Sequence, residues 1–142
     1  MKGKILVTVQ FVSIALLAYA TRWMELPWWT VIFFSLSALL LVWAVLAMRP
    51  GNFNVIPTPV DSGVMVSCGP YRLIRHPMYT SIFIVAITLL AAQFDYIKLS
   101  ITLVLVTGLV VKMIYEESLL CEHFPHYKNY MKETKRVIPF IW

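Results

Sequence analysis

Four stretches of the chain carry no Asp, Glu, Lys or Arg: residues 5–20, 28–48, 79–94 and 99–111, the last extending to residue 115 across Lys112. Their apolar residues come as continuous runs, the pattern of bilayer spans, not as the alternation or one-sided stripe of a water-soluble core. A span needs roughly 20 apolar residues to cross a ~30 Å hydrocarbon core. The second run is long enough alone. The others borrow flanking residues, with Lys4, Arg22, Lys98 and Lys112 able to snorkel toward the interface. Trp23, Trp28, Trp29, Tyr96 and Tyr115 stand at run ends, where aromatic belts belong. The connections at residues 21–27 and 95–98 are short, so the spans are expected to pair as two hairpins. Residues 49–78, with Pro50, Gly51, Pro57, Pro59, Gly63, Gly69, Pro70 and Pro77, form a long loop between them. A polar tail follows from residue 116. The pattern predicts an all-α integral membrane protein of four transmembrane helices (about 5–20, 28–48, 79–94 and 99–115), with a cytoplasmic loop and a C-terminal interfacial helix.

Composition agrees. Of the 142 residues 60% are hydrophobic and 13% charged, against about 25% charged in an average soluble chain, which excludes an ordinary soluble domain and disorder alike. The length fits a single membrane domain, 1–142. Four spans place the N-terminus, the long loop and the tail on one side. That side then holds Lys2, Lys4, Arg49, Arg72, Arg75, Lys112, Lys128, Lys132, Lys135 and Arg136, so both termini are expected in the cytoplasm. The net charge of +5 reads as orientation in the lipid bilayer; a nucleic-acid partner is not expected. Lys2, Lys4, an apolar run and Ala18-Tyr19-Ala20 also resemble a signal peptide. The run is slightly long for an h-region, and a first span is the expectation. Cys68 and Cys121 fall on the cytoplasmic side, where no disulfide is expected.

Two clusters hold the candidate chemistry. The first is Gly69-Pro70-Tyr71-Arg72-Leu73-Ile74-Arg75-His76-Pro77-Met78-Tyr79, leading into the third span. Taken singly, its residues are a turn, headgroup-level charges and a proline opening a helix. Together, two arginines, a histidine and two tyrosines beside a helix N-terminus suit an anionic group. The second cluster comprises Lys112, Glu116 and Glu117, followed by Leu120, Phe124, Tyr127, Tyr130 and Ile138-Pro139-Phe140. Lys112 and Glu116 lie four apart on one helical face. A solvated acidic pair beside an amphipathic helix is the plain reading; a carboxylate pair beside aromatic rings also holds a cation.

The blocks Gly69-Pro70-Tyr71, Arg75-His76-Pro77 and Tyr79, then Glu116-Glu117-x-x-Leu120-x-x-x-Phe124, Tyr127-x-x-Tyr130 and Ile138-Pro139, closely resemble the isoprenylcysteine carboxyl methyltransferase family, related to the membrane phospholipid N-methyltransferases. The likeness covers about residues 50–142, and the first two spans match as generic apolar helices. It implies an enzyme whose C-terminal half wraps S-adenosylmethionine (AdoMet) on the cytosolic side and takes a lipid-soluble substrate laterally from the bilayer. By that resemblance Tyr71, Arg75, His76, Pro77 and Tyr79 would cradle the cofactor. Glu116 and Glu117 would meet its amino or ribose groups. Lys112, where relatives tend to have Arg, would face substrate or transition-state charge, and Lys112 and Glu116 are the catalytic candidates. Relatives more often carry Phe-Gly where this chain has Phe124-Pro125.

The expected activity is AdoMet-dependent methylation of a lipid-soluble or isoprenylated substrate at the cytoplasmic membrane face, as carboxyl O-methylation. The first alternative is N-methylation of a phospholipid amine, since Lys112 and Glu116 serve either charge. A second is a non-enzymatic small transporter or scaffold, although the span interiors offer nothing more polar than Gln10 and scattered Ser and Thr. A metal site from Cys121, His123 and His126 with His76 or Cys68 is not expected, because the spacing does not set three ligands on one helix face.

Overall fold

A computed structural model of the chain describes residues 2–48, 65–139 and 141. The first half of the expected loop, residues 49–64 with its Arg49, Pro50, Gly51, Pro57, Pro59 and Gly63, lies outside these, as does Phe140. The described residues form five α-helices: α1 Lys2–Ala20, α2 Thr30–Ala47, α3 Pro77–Ala92, α4 Tyr96–His123 and α5 Tyr127–Glu133. No strand forms among them; an isolated parallel bridge joins Ile74 and Lys135.

Three helices among the described residues, α1, α2 and α4, are long and apolar enough to cross a membrane, against the four expected. The third apolar run makes a helix of 16 residues, about 24 Å at 1.5 Å per residue, short of a ~30 Å core. Pro77 opens it at the first helical position, as its fixed φ and missing N–H allow. α4 errs the other way. It runs 28 residues, eight beyond the expected end at 115, because the charges of Lys112, Glu116 and Glu117 find partners within the fold. Asp95 caps its start, accepting from the Lys98 N–H at 2.8 Å. It stops at Pro125: Phe124 is extended (φ −113°, ψ 113°), as a residue before proline must be.

The hairpin expectation is also revised. The broad packing faces join α1 to α4 and α2 to α3, with a lesser α3–α4 seam. Small residues permit the approach. A Cβ on Gly108 of α4 would stand 3.3 Å from Val9 Cγ1 of α1, and Ala44 and Ala86 are fully buried on α2 and α3. The helices are inverted relative to a soluble bundle. Phe11, Leu16, Val31, Leu39 and Trp43 point outward, while Ser13, Ser37, Ser81 and Thr88 are buried. The Ser37 hydroxyl donates across the α2–α3 seam to the Ser81 carbonyl at 2.9 Å. A lipid-facing exterior and inward hydroxyls suit a solvent that offers no hydrogen bonds.

Gln10 of α1 meets Lys112 of α4, and Arg22 after α1 meets Gln93 before α4, so the two helices run antiparallel. The start of α1, the end of α2, the start of α3 and the last third of α4 therefore gather at one end of the bundle. That end carries the polar side chains described next.

Candidate functional site

The loop entering α3 is set by a turn that needs glycine. Gly69 has φ +58°, and a Cβ there would stand 2.9 Å from Ala47 Cβ and 3.2 Å from Trp43 Nε1. Both the left-handed backbone and the lean against the end of α2 require the missing side chain. Residues Gly69–Arg72 form a 3₁₀ turn, after which residues 73–76 run beside the tail. The Lys135 N–H donates to the Leu73 carbonyl at 3.2 Å, the Arg75 N–H to the Lys135 carbonyl at 2.7 Å, and the His76 N–H to the Arg136 carbonyl at 3.0 Å. Thr80 on α3 adds a hydroxyl bond to the Val137 carbonyl at 3.0 Å. The two sequence clusters, about forty residues apart, thus become one site.

Glu117 is its hub. Its Oε1 accepts from Arg75 Nε at 2.7 Å and lies 3.3 Å from His76 Nε2. Its Oε2 accepts from Arg136 Nε at 3.0 Å, and Arg136 Nη2 stands 2.9 Å away. With its side chain 4% exposed, this carboxylate is fully engaged by protein. Arg75 is equally committed: its Nη1 donates to the carbonyls of Met131 and Thr134, pinning the tail to α4. Charge-assisted bonds of this kind are the strong ones, roughly twice a neutral pair.

Glu116, its sequence neighbour, is used differently. Tyr79 Oη donates to its Oε2 at 2.8 Å, and His76 Nδ1 lies 3.9 Å from the same oxygen. The Glu116 side chain keeps 29% of its exposure. The ring of His76 stacks on Tyr79, centroids 5.3 Å apart and planes 11° apart. Over the Tyr79 ring sits Lys112 Nζ, 5.1 Å from the centroid, which donates a 2.8 Å bond to Gln10 Oε1. Lys112 is 2% exposed. A lysine carries three donors, so one neutral amide and one ring face leave it capacity for an anion.

Tyr71 and Pro77 are buried behind this surface. The Tyr71 carbonyl accepts from Tyr130 Oη at 2.6 Å. Burial raises the phenols of Tyr71, Tyr127 and Tyr130 above the ordinary value. The negative charge of Glu116 adds to the rise at Tyr71, and that of Glu117 at Tyr127. Tyr130 reaches about 12 because nearby Arg75 opposes the effect of burial. These tyrosines remain neutral donors at physiological pH.

The residues singled out from sequence, Tyr71, Arg75, His76, Pro77, Tyr79, Lys112, Glu116 and Glu117, all converge here. The geometry separates the acidic pair into an engaged hub and a partly open carboxylate. Three contributors do not stand out from sequence: Arg136, Thr134 and Gln10. Arg136 reads there as one orienting charge among ten, although its place two residues before Ile138-Pro139 marks it. Gln10 is visible as the most polar residue in a span interior, without any indication of what it meets. Among the described residues no group of three or more His, Cys, Asp or Glu side chains is placed to hold a metal ion.

The profile of the Isoprenylcysteine carboxyl methyltransferase (ICMT) family matches residues 29–122. The chain belongs to this family. That match spans α2, α3 and nearly all of α4, including Glu117 and both of its partners on the loop side, Arg75 and His76, but not Arg136. A stretch of 77 residues is also 34% identical to the nickel-cobalt-cadmium resistance protein NccN of Alcaligenes xylosoxydans xylosoxydans. It covers 53% of this chain and 36% of that protein, so the chain aligns with little more than a third of the relative's length. The ICMT family is one of membrane methyltransferases, and the membrane-spanning helices of this chain accord with it.

Proposed function

We propose that this protein is an AdoMet-dependent methyltransferase that esterifies the carboxylate of a lipid-soluble or isoprenylated acceptor at the cytoplasmic membrane face. One observation carries the reading. A partly open carboxylate, a stacked His–Tyr pair and a buried ammonium with spare donors lie together at the end of a lipid-facing bundle.

The donor set fits the cofactor. AdoMet presents hydroxyls and an ammonium that need acceptors, a flat base that needs a ring face, and a carboxylate that needs N–H donors. Glu116 offers acceptor oxygens at the accessible edge of the site, and the His76–Tyr79 stack offers aromatic faces. When bound, AdoMet would supply a methyl group already activated on sulfonium, so alignment and exclusion of water carry the catalysis, an effect worth up to about 7–11 kcal/mol. Glu116 would hold and orient the cofactor's hydroxyl or amino groups. Tyr79, bound to Glu116 and lying beneath Lys112, fixes the spacing between them. Lys112 would attract the acceptor's carboxylate and hold its oxygen toward the methyl carbon, where low polarity strengthens the attraction. Arg75, Glu117 and Arg136 would keep the tail docked over the loop. The outward apolar faces of α1 and α2 give a lipid-soluble acceptor its approach.

N-methylation of a phospholipid amine would make Lys112 a repulsive neighbour of the reacting nitrogen, so its burial here favours the carboxylate. The test is calorimetric titration of AdoMet into purified, detergent-solubilised protein, followed by transfer of labelled methyl to N-acetyl-S-farnesylcysteine or to phosphatidylethanolamine vesicles. Binding with transfer to the thioether acid is expected. A folded sample that does not bind AdoMet defeats the enzyme reading, and transfer to the vesicles alone replaces O-methylation with N-methylation.

A further inference from the structure

We infer that Gln10, on the first helix and outside the family-matched segment, is a positioning residue of the reaction that holds the Lys112 ammonium against Tyr79. The inference rests on the methyl-transfer reading above. Gln10 is 8% exposed and Lys112 2%, and the two meet at 2.8 Å across 102 residues of sequence. An ammonium buried one helical turn inward of Glu116 is costly in such surroundings, and a leucine or methionine would pack α4 against α1 without that cost. Neither side chain is therefore needed for packing. The charge at 112 has no carboxylate within ion-pair distance among the described residues; the amide oxygen of Gln10 and the Tyr79 ring face fix where it sits. Because Lys has flexible methylenes and no planar fork, its direction depends on such partners more than that of an arginine would. A neutral acceptor orients the ammonium without cancelling the charge that the incoming carboxylate needs. The helix contributing Gln10 is thus part of the reacting unit.

The test compares wild type, Gln10→Leu and Gln10→Glu in proteoliposomes, with two readouts. The first is labelled methyl transfer from AdoMet to N-acetyl-S-farnesylcysteine, with AdoMet Kd measured in parallel. The second is the rate at which acetic anhydride acetylates Lys112, read by peptide mass spectrometry. Gln10→Leu is expected to lower kcat about tenfold while AdoMet Kd stays within twofold, and to raise Lys112 acetylation at least fivefold. Gln10→Glu, which keeps an acceptor at the same reach but cancels the charge, is expected to restore protection against acetylation while the rate stays as low as in Gln10→Leu. Unchanged acetylation in Gln10→Leu overturns the pairing, and faster acetylation with unchanged kcat makes the contact structural and overturns the proposal. A wild type that binds AdoMet without methylating this acceptor defeats the acceptor assignment separately. The acetylation result then decides the pairing, for it if labelling rises and against it if not.

Discussion

The bundle buries a lysine near each of its ends, and the two are held in opposite ways. Lys98, at the start of α4, is 2% exposed; its Nζ donates to Gln93 Oε1 at 2.8 Å and lies 3.9 Å from the Asp95 carboxylate. Gln93 in turn exchanges two bonds with the backbone of Arg22, at 3.0 and 2.8 Å, stapling the two turns at that end together. Both of these partners of Lys98 lie within five residues of it, and one is a carboxylate. Lys112 is equally buried, yet its partners are a neutral amide from another helix and an aromatic face. The first lysine is compensated and closes a structure. The second is oriented and left with charge to offer, which is what a binding site for an anion needs.

The largest effect is expected at the hub that frames Lys112. Glu117→Ala leaves two guanidinium groups and His76 without their shared acceptor in a nearly dry site. Breaking such a buried pair costs about 3–5 kcal/mol, so thermal unfolding in detergent should fall sharply and AdoMet binding should be lost with it. If Glu117→Ala keeps both, the tail is not held through this carboxylate.

The comparison of lysines is tested next. Lys112→Met should leave stability nearly unchanged, because removal of a costly buried ammonium offsets the hydrogen bond that Gln10 loses. Methyl transfer should fall about 10²–10³-fold, the effect of deleting one preorganised charge-stabilising donor, about 2.7–4 kcal/mol. Lys98→Met should do the reverse: transfer persists, while stability drops by about 1–3 kcal/mol as Gln93 and Asp95 lose their partner. Equal behaviour of the two variants in a paired assay of unfolding and transfer would dissolve the distinction.

What separates these lysines is only partly legible in the sequence. Charge-free runs locate the helices to within a few residues, since lipid demands continuous apolar surface, except at the end of α4, which runs eight residues past its expected end at 115. The two motif blocks also mark residues that come together at one end of the bundle, because they are read together with a family pattern. The helix partners are not legible. Short turns favour neighbours in sequence, but packing is decided by which faces carry small residues, and Gly108 against Val9 is visible only in three dimensions. Likewise Glu116 and Glu117 are identical letters side by side. The 100° step of the helix turns one toward Arg75 and Arg136 and the other toward Tyr79, and this makes one a structural hub and the other a partly open group.

That split predicts a milder phenotype for Glu116. Glu116→Gln keeps the Tyr79 bond but removes the charge, and a hydrogen bond to a charged group is worth about 1.5–3 kcal/mol. AdoMet affinity should weaken about 10–100-fold at unchanged thermal stability, measured by calorimetry. A loss of stability comparable to that of Glu117→Ala would show that the two carboxylates share one role.

The smallest effect concerns the tail's aromatic anchor. Tyr130→Phe deletes the bond to the Tyr71 carbonyl while keeping the ring, a loss of about 0.5–1.5 kcal/mol. The same anchor gives a pH signature. Tyr130 titrates at about 12 in the folded protein against 10.0 unfolded, so the folded state binds the proton more tightly. Its contribution to stability is complete below about pH 10 and is lost as pH rises from about 10 toward 12. Unfolding temperature should therefore decline through that window in wild type and less steeply in Tyr130→Phe. Burial raises Tyr71 and Tyr127 further still, so part of the decline will persist in the variant. Identical slopes in the two proteins would show that the Tyr130 hydroxyl is not buried in the folded tail.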